Sequence, residues 1–405
     1  MNDLKKDKEI GIIVTYPENG KKHSKSSGIA GYTKNLLLGM SSEERQNIVV
    51  FSDIKTKNKQ FVDENILVNE CWHRGNLLFF IEILHNIKKF KKLKVIHIQH
   101  EFNLFGGGLS TLLYLILLRN IHKIGIKIIV TYHGVVSQKQ IDKRFVNINQ
   151  INIPKNIFKI IIAFIYKYSA KFIETTIVHE QIFKDILINE YGFNSSKVAV
   201  VPHGVEDLKL DSKKESRKKL HINNDKHVIL FFGFLAGYKG LDLLIDAFSN
   251  LNTKDYLLII AGGKPARTKD NFAYKQWYNK LCQKIKQSKN ICRVDFVPDD
   301  EISLYYSVSD IVVFPYLKML SASGPMSFAI SYNKPFIASS VFKKVLDKEL
   351  LFDLDEYSLS NKIRDYFNSD SKLGSKIKFT IRDMRDYRLW KNIANKTYQV
   401  YKEKI

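Results

Sequence analysis

Strand-length apolar runs alternate with helix-length runs along the whole chain, and this alternation restricts the fold more than any other feature. The first half contains six strand-like runs, at residues 9–16, 47–51, 94–99, 127–132, 175–178 and 197–201. Helical patterns follow Tyr32 and cover residues 77–90, 109–118, 156–170 and 181–191. Repeated strand–helix alternation predicts a parallel sheet that is covered by helices on both faces.

The same alternation starts again after Pro202, which predicts a second domain. Residues 206–217 are polar and charged and are typical of a linker that leads into a helix. Further strands are predicted at 227–232, 256–261, 291–296, 311–314 and 336–338, and helices at 240–249, 274–286, 301–307, 325–332 and 387–404. We therefore predict an α/β protein with two Rossmann-like, doubly wound domains that face a central cleft. Ligands of such folds bind at the carboxyl ends of the strands.

The composition agrees with two globular domains and excludes several other classes. The 405 residues are 45% apolar and 26% charged, which excludes a disordered or collagen-like chain. The three cysteines, Cys71, Cys282 and Cys292, have no metal-binding or disulfide-framework spacing. Residues 1–9 are charged and lead into a strand, and the longest apolar runs are short or interrupted by lysine. We expect a cytoplasmic protein with no signal peptide and no membrane span.

The chain has a large positive charge, and part of it is concentrated in one segment. Lys and Arg number 64 against 41 Asp and Glu, a net charge of +23, which predicts an anionic partner. Residues 83–173 contain 15 Lys or Arg and only two acids, Glu101 and Asp142. These lysines either solvate ordinary amphipathic helices or lie on anionic lipid. No helix-turn-helix, RNA-binding or zinc motif is present, so we do not expect a nucleic-acid partner.

Polar residues at predicted strand ends indicate a site in the first domain. Gly28 lies in the segment 26–31, where glycines before a helix allow an anion to approach the backbone. His100 and Glu101 end one strand, and His133 follows the next. A metal site that combines His97 with His100 and Glu101 is disfavoured, because alternation puts the two histidines on opposite faces of the strand.

Two loops of the second domain have features of phosphate sites. Gly233 and Lys239 lie between a strand and a helix, and a cation beside a helix N-terminus suits a diphosphate. Ser323 and Gly324 precede another helix, where a hydroxyl and a backbone N–H could bind a phosphate or a sugar. The pair Asp353 and Asp355 resembles a metal site, but it more simply leads into a surface helix.

The order and spacing of these segments resemble retaining glycosyltransferases of family 4 with the GT-B fold (glycosyl transferase group 1). The resemblance extends over nearly the whole length. The matching segments are 97–108, 131–135, 200–205, 233–247, 296–316 and 321–338. It implies a first, acceptor-side domain at residues 1–204 and a second, donor-binding domain at 205–385. It also implies that a C-terminal helix, residues 386–405, crosses back onto the first domain.

The resemblance implies roles for individual residues. His133 would bond the donor sugar near the reaction centre, and Lys239 would neutralise the diphosphate leaving group. We assign His100 and Glu101 to the acceptor side. Contacts to the donor are implied for Gly28, Gly233, Lys239, the loop near Val297, Ser323 and Gly324.

Two departures from the family pattern affect the donor site. The family has an arginine directly after the glycine of the phosphate loop, and this chain has Phe234. The family also has two glutamates eight residues apart, and the corresponding positions are Leu320 and Phe328. Some members have Ser-x-Ser-Gly in this segment instead, as this chain does.

The function implied is transfer of a sugar from a nucleotide-diphosphate donor to a glycan or lipid-linked acceptor, with retention and without metal or cofactor. An anionic membrane surface on the inner face is a further predicted partner. The alternatives are a non-catalytic partner of a glycosyltransferase, or another GT-B nucleotide-sugar enzyme such as an epimerase. An epimerase should have carboxylates at several strand ends, and the sequence offers only Glu101.

Overall fold

The chain divides into two α/β units. Unit 1 comprises Met1–Gly204 with Trp390–Ile405, and unit 2 comprises Val205–Leu389. The computed structural model describes residues 8–21, 28–55, 60–142, 145–146, 153–251, 254–265, 272–318 and 323–405. Within this part of the chain, no helix is long and apolar enough to span a bilayer.

Unit 1 is built on an eight-stranded sheet. Its strands are β1 Ile10–Ile13, β2 Ile48–Asp53, β3 Gln60–Asp63, β4 Ile66–Trp72, β5 Val95–His100, β6 Lys127–Tyr132, β7 Thr175–Val178 and β8 Val198–Val200. The order is β3-β4-β2-β1-β5-β6-β7-β8, and only the β3–β4 pair is antiparallel. The interior strands are buried along their length, as is typical of parallel sheets covered on both faces.

Helices cover both faces of this sheet. They are α1 Gly28–Leu38, α2 Ser42–Gln46, α3 Phe79–Ile87, α4 Leu109–Lys123, α5 Lys155–Ser169 and α6 Gln181–Tyr191. The helices α3, α4, α5 and α6 pack in sequence over one face, where side chains such as Ile83, Leu117 and Ile165 form one core. A separate core under α1 lies on the other face.

Unit 2 contains a six-stranded, wholly parallel sheet. Its strands are β9 His227–Phe232, β10 Tyr256–Ala261, β11 Ile291–Val294, β12 Ile311–Phe314, β13 Phe336–Ser339 and β14 Leu351–Phe352, in the order β11-β10-β9-β12-β13-β14. Its helices are α7 Lys213–Lys219, α8 Leu241–Ser249, α9 Phe272–Gln287, α10 Ile302–Val308, α11 Gly324–Ser331, α12 Glu356–Phe367 and α13 Leu373–Arg388. In both sheets the strand order reverses beside the first strand, which confirms the predicted doubly wound class.

The prediction of one helix over 387–404, with residues 386–405 in the first domain, is wrong at its start. Helix α13 ends at Arg388, and α14 covers Trp390–Lys402. Between them Leu389 is extended, with φ −53° and ψ 138°, and pairs with Val205, so residues 386–389 belong to unit 2. The Trp390 ring then packs so closely on Gly204 that a Cβ there would lie 2.3 Å from a ring carbon. Helix α14 packs against α1 within unit 1.

Candidate active site

In unit 2, Lys239 and Gly233 come together at the end of β9. Lys239 ends a single 3₁₀ turn over Gly237–Lys239, and its side chain is buried. Its Nζ lies 2.7 Å from the point that a Cβ would occupy at Gly233, and 5.5 Å from the centre of the Tyr316 ring. Gly233 has φ +115°, which disfavours any other residue, so the chain leaves an open backbone beside the ammonium group.

The ammonium group of Lys239 is a buried cation. Among the described residues none forms an ion pair with it or accepts a hydrogen bond from it. Burial lowers the pKa of Lys239 to about 8, because a buried charge loses its hydration. A buried cation of this kind gains most from a bound anion, and a diphosphate supplies one.

The start of α11 adds neutral donors to the same place. Pro325 Cγ lies 2.8 Å from the Cβ point of Gly233, so this helix begins beside the glycine and Lys239. Ser323 caps α11 by accepting a bond from the N–H of Met326 at 3.3 Å, and its hydroxyl is 2.9 Å from the Tyr316 hydroxyl. Pro325 has no N–H, so Gly324 supplies the first backbone donor of the helix.

The residues that depart from the family pattern bring no charge to this site. Phe234 follows Gly233 directly and is 48% exposed. Phe328 lies on α11 with its ring among Phe232, Tyr306 and Tyr332, at centroid distances from 6.4 to 6.5 Å. Leu320 lies outside the described residues. Lys239 is therefore the charged side chain that this arrangement depends on.

The loop near Val297, which the resemblance implies as the base contact, exposes Phe296 rather than Val297. The Val297 side chain is buried in the core of unit 2 and cannot face a ligand. Phe296 is exposed instead, and its Cβ lies 3.3 Å from the Cβ point of Gly263, which follows β10. The implied contact between this loop and the base stays a prediction.

In unit 1, Gly28 is the first residue of α1 and has open space on its side-chain side. The preceding residues of the predicted glycine motif, Ser26 and Ser27, lie outside the described residues. Gly28 thus leaves room for an anion to approach the backbone closely. Its position beneath the donor diphosphate stays a prediction.

His133 lies directly after β6 and uses both ring nitrogens within unit 1. Its Nε2 is 2.8 Å from Gln99 Oε1, and its Nδ1 is 3.2 Å from His179 Nε2. His179 Nδ1 is 2.9 Å from the carbonyl oxygen of Val201, which can only accept. The Tyr32 ring is nearly perpendicular to the His133 ring, with centroids 4.6 Å apart.

These contacts restrict the protons on the two rings. Two neutral imidazoles carry two N–H hydrogens, but a chain that runs from Gln99 Oε1 to the Val201 carbonyl needs three. Either the two imidazoles share one positive charge, or the Gln99 amide is rotated so that its NH2 group donates to His133 Nε2. Burial, and secondarily the nearby histidines, lower the pKa of His133, which favours the neutral pair.

His100, which we assigned to the acceptor side, does not present its ring at the surface. Its ring is buried against Tyr114 and Tyr132, at centroid distances of 4.6 and 5.1 Å, and burial lowers its pKa to about 3. The cause is helix α4, which covers this face of β5. Glu101 is exposed, and its carbonyl oxygen accepts a bond in a turn from Leu104. His97 lies on the opposite face, as alternation predicts, and bonds Tyr401 and Thr131.

Comparison with known families decides the identity of the chain. A family model described as "Glycosyltransferase Family 4" matches residues 27–207, and one described as "Glycosyl transferases group 1" matches residues 212–345. This chain belongs to the family 4 glycosyltransferases. The resemblance predicted from its motifs is thereby confirmed.

Two curated relatives of this family 4 protein extend the comparison. An uncharacterized glycosyltransferase of Methanocaldococcus jannaschii is 23% identical over 242 residues, 54% of this chain and 57% of that relative. The match thus spans little more than half of the relative's length. The alpha-monoglucosyldiacylglycerol synthase of Acholeplasma laidlawii is 25% identical over 336 residues, 77% of this chain and 78% of its own.

The fold matches that of a solved structure over nearly all of the chain. HepE of Anabaena, in complex with UDP, superposes with a TM-score of 0.67 at 14% identity, covering 98% of this chain and 100% of that one. The two units of this family 4 protein accordingly form a GT-B fold.

Sequence reasoning missed several residues that surround His133. Tyr32 on α1 contacts the rings of His133, His179, His203 and Trp390, with centroids 4.6 to 5.2 Å apart. His179 follows β7 directly, so the strand-end rule that identified His133 would also have found it. Trp390 is 358 positions away along the chain from Tyr32, and no local pattern relates them; only the packing of α14 on α1 does.

Proposed function

We propose that this protein transfers a sugar from a nucleotide-diphosphate donor to a glycan or lipid-linked acceptor, with retention at the anomeric carbon. The observation that supports it most is Lys239, a buried cation beside Gly233 and the start of α11. Family membership supports the reaction class, and the solved relative HepE binds UDP.

The chemistry needs stabilisation of a departing diphosphate. The bond from the anomeric carbon to the diphosphate oxygen breaks, and the acceptor hydroxyl forms its new bond on the same face. The departing diphosphate oxygen is then the base nearest to the acceptor hydroxyl, and it takes the hydroxyl proton. Lys239 and the Gly324 N–H would neutralise the charge that develops on the diphosphate, so catalysis rests on positioning and electrostatics.

His133 is the proposed contact to the donor sugar, and its hydrogen bonds limit what it can do. In the neutral pair its Nδ1–H is donated to His179, so its Nε2 has a lone pair and can only accept. A sugar hydroxyl would therefore donate to Nε2 and take the place of the Gln99 amide.

We propose an acceptor at an anionic membrane surface, on the cytoplasmic side. Two observations favour it: the basic segment 83–173 in unit 1, and the relative that is named alpha-monoglucosyldiacylglycerol synthase. Peripheral attachment would bring the protein to a lipid-linked or surface-bound acceptor.

We propose that the reaction needs no metal or other cofactor. The acid pair that resembled a metal site has another use, since Asp355 caps α12 by accepting a bond from the N–H of Ser358 at 2.7 Å. Turnover should survive treatment with EDTA. Complete loss, restored by magnesium or manganese, would contradict the proposal.

The test is transfer by the purified full chain from a panel of nucleotide sugars. A true donor at about 100 times its dissociation constant should raise the free energy of unfolding by about 2.7 kcal/mol in a thermal shift. Nucleoside diphosphate release that depends on acceptor, with NMR of the product linkage, identifies the reaction. Binding without any turnover would favour the non-catalytic partner, and an isomerised donor without an acceptor would favour the epimerase.

A further inference from the structure

Exposed apolar side chains are concentrated on one group of helices in unit 1. Twelve large apolar side chains are exposed among the described residues of this unit, and nine lie on or directly beside α3, α4 and α5. They are Leu77, Leu78, Ile81, Leu109, Ile116, Ile124, Ile157, Ile160 and Phe164. Helix α3 packs on α4, and α4 packs on α5, so the three helices are neighbours. We call these nine side chains the apolar face.

Helix α5 shows the feature most clearly, because it is apolar on two sides. Ile162 and Ile165 enter the core. Ile157, Ile160 and Phe164 follow one another at helical spacings of three and four, and all are exposed, Ile160 by 70% and Phe164 by 52%. Clustered exposed apolar side chains of this size indicate a surface that a membrane or a partner molecule covers.

The charges around the apolar face select the partner. Lys155, Lys159, Lys167 and Lys171 lie on or next to α5, and Lys88 and Lys89 follow α3. Three acids lie near these six lysines: Glu82 on α3 bonds His73, Glu101 lies before α4, and Asp142 accepts a bond from the N–H of Phe145, so the surplus stays positive. Lysines beside exposed Ile, Leu and Phe match an anionic lipid leaflet, which takes apolar side chains below its headgroups and attracts cations above them.

We propose that the apolar face of α3, α4 and α5 inserts into the interfacial layer of an anionic membrane. The 15-residue helix α5 then lies along the surface, with Ile160 and Phe164 below the headgroups and its lysines at headgroup level. The contact rests on the proposed peripheral attachment and deepens it by assigning it to this face, and it requires neither donor nor acceptor.

Vesicle binding tests insertion separately from charge. The probe is vesicles of equal parts phosphatidylcholine and phosphatidylglycerol, measured by co-sedimentation without nucleotide. The double variant Ile160→Ser/Phe164→Ser keeps every charge and should bind at least about tenfold more weakly, because two apolar side chains no longer enter the lipid. The matched control is Phe379→Ser in unit 2, a ring that is 56% exposed and lies far from α5 along the chain, and it should bind as the native protein does.

The electrostatic part is tested by charge reversal. Lys155→Glu/Lys159→Glu/Lys167→Glu should also weaken binding, and raising salt from about 0.05 to 0.5 M should weaken native binding, because ions screen the attraction. Unfolding temperature and UDP binding should stay unchanged in all variants. These two measurements separate loss of the membrane contact from misfolding and from failure of the proposed donor site.

Insertion itself has a direct signature. Tryptophan fluorescence of Ile160→Trp, above the native background, should shift to the blue on vesicles and be quenched by brominated lipid, whereas Phe379→Trp should do neither. The proposal is overturned if the serine variant binds like the native protein, if neutral and anionic vesicles bind equally at low salt, or if Ile160→Trp is not quenched. Binding of RNA or of another protein that the same serine substitutions abolish, without vesicle binding, would assign the face to that partner instead.

Discussion

His179 Nε2 lies 3.2 Å from His133 Nδ1, while the other nitrogen of His179 bonds the Val201 carbonyl. Because that carbonyl can only accept, His179 has its hydrogen on Nδ1 when neutral, and its Nε2 must accept. His179 thereby sets the tautomer of His133, although it has no part in the motifs of the sequence. A histidine held in this way presents a defined ring edge to a ligand.

The first prediction concerns this pair. His179→Phe keeps a ring beside Tyr32 but removes the acceptor, so His133 should lose its fixed orientation. We expect turnover to fall by about tenfold to a hundredfold, with UDP affinity unchanged, because a misplaced catalytic group affects the reaction more than nucleotide binding. The conservative variant His179→Gln retains a side-chain acceptor and should recover part of the rate. Full turnover in the phenylalanine variant would show that His133 does not need His179.

The second prediction concerns the titration of Lys239, whose pKa burial lowers to about 8. Only the charged form attracts a diphosphate, so UDP affinity should be constant below pH 7 and weaken as the pH rises through about 8. Lys239→Met should remove this pH dependence and lower turnover by about 10² to 10³. Calorimetry at pH 7 and pH 9, on native and variant protein, measures the first effect. An affinity that does not change with pH would place the diphosphate elsewhere.

The third prediction concerns acid stability. Burial lowers the pKa of His97 and of His100 to about 3, and that of His133 is also lowered. In the unfolded chain these rings bind protons below about pH 6.5, so the unfolded state gains protons first and stability falls as the pH decreases from 6.5. Each ring contributes a slope of roughly 1.4 kcal/mol per pH unit.

His100→Phe provides the control for that slope, since the site is lined by aromatic rings and needs no polar group. Urea unfolding between pH 7.5 and 5 should show the dependence reduced by about one proton in the variant. Equal slopes in native and variant protein would mean that His100 is protonated in the folded state.

Strands of the second unit were predicted well because their runs are apolar throughout. The bounds of β9, β10 and β12 agree with the sequence pattern residue for residue. The β3–β4 hairpin was missed. β4 contains buried Asn69 and Glu70, and the turn consists of Glu64 and Asn65 at positive φ, without glycine. Asn69 is satisfied by Gln60 and Asn86, which are partners that only the folded chain provides.

The candidate site was predictable only in part, for a similar reason. Strand-end positions identified Gly233, Lys239 and His133, because the carboxyl ends of parallel strands share one edge of a sheet. The burial of His100 depends on α4, and the break at Leu389 depends on its pairing with Val205; neither has a glycine or proline signal. Long-range contacts of this kind leave no local pattern.

The last prediction concerns Phe234, which occupies the place of an arginine. Phe234→Arg should add a second cation beside Gly233, and hydrogen bonds to charged groups contribute about 1.5–3 kcal/mol. We expect UDP to bind about tenfold more tightly at low salt, and the gain to shrink at high salt. The control is Phe234→Gln, which removes the exposed ring without adding charge.

The comparison of these two variants separates charge from shape. If both bind UDP equally, the diphosphate does not approach this loop, and the role of Gly233 and Lys239 as its site is wrong. If only the arginine variant gains affinity, the turnover of that variant shows how the absence of a cation at position 234 affects the native enzyme. A rise in turnover would mean that leaving-group charge limits the native enzyme, because a cation that stabilises the transition state more than the bound donor raises the rate. Unchanged turnover with tighter UDP would mean that the arginine stabilises donor and transition state equally, and that Lys239 already suffices for the departing diphosphate.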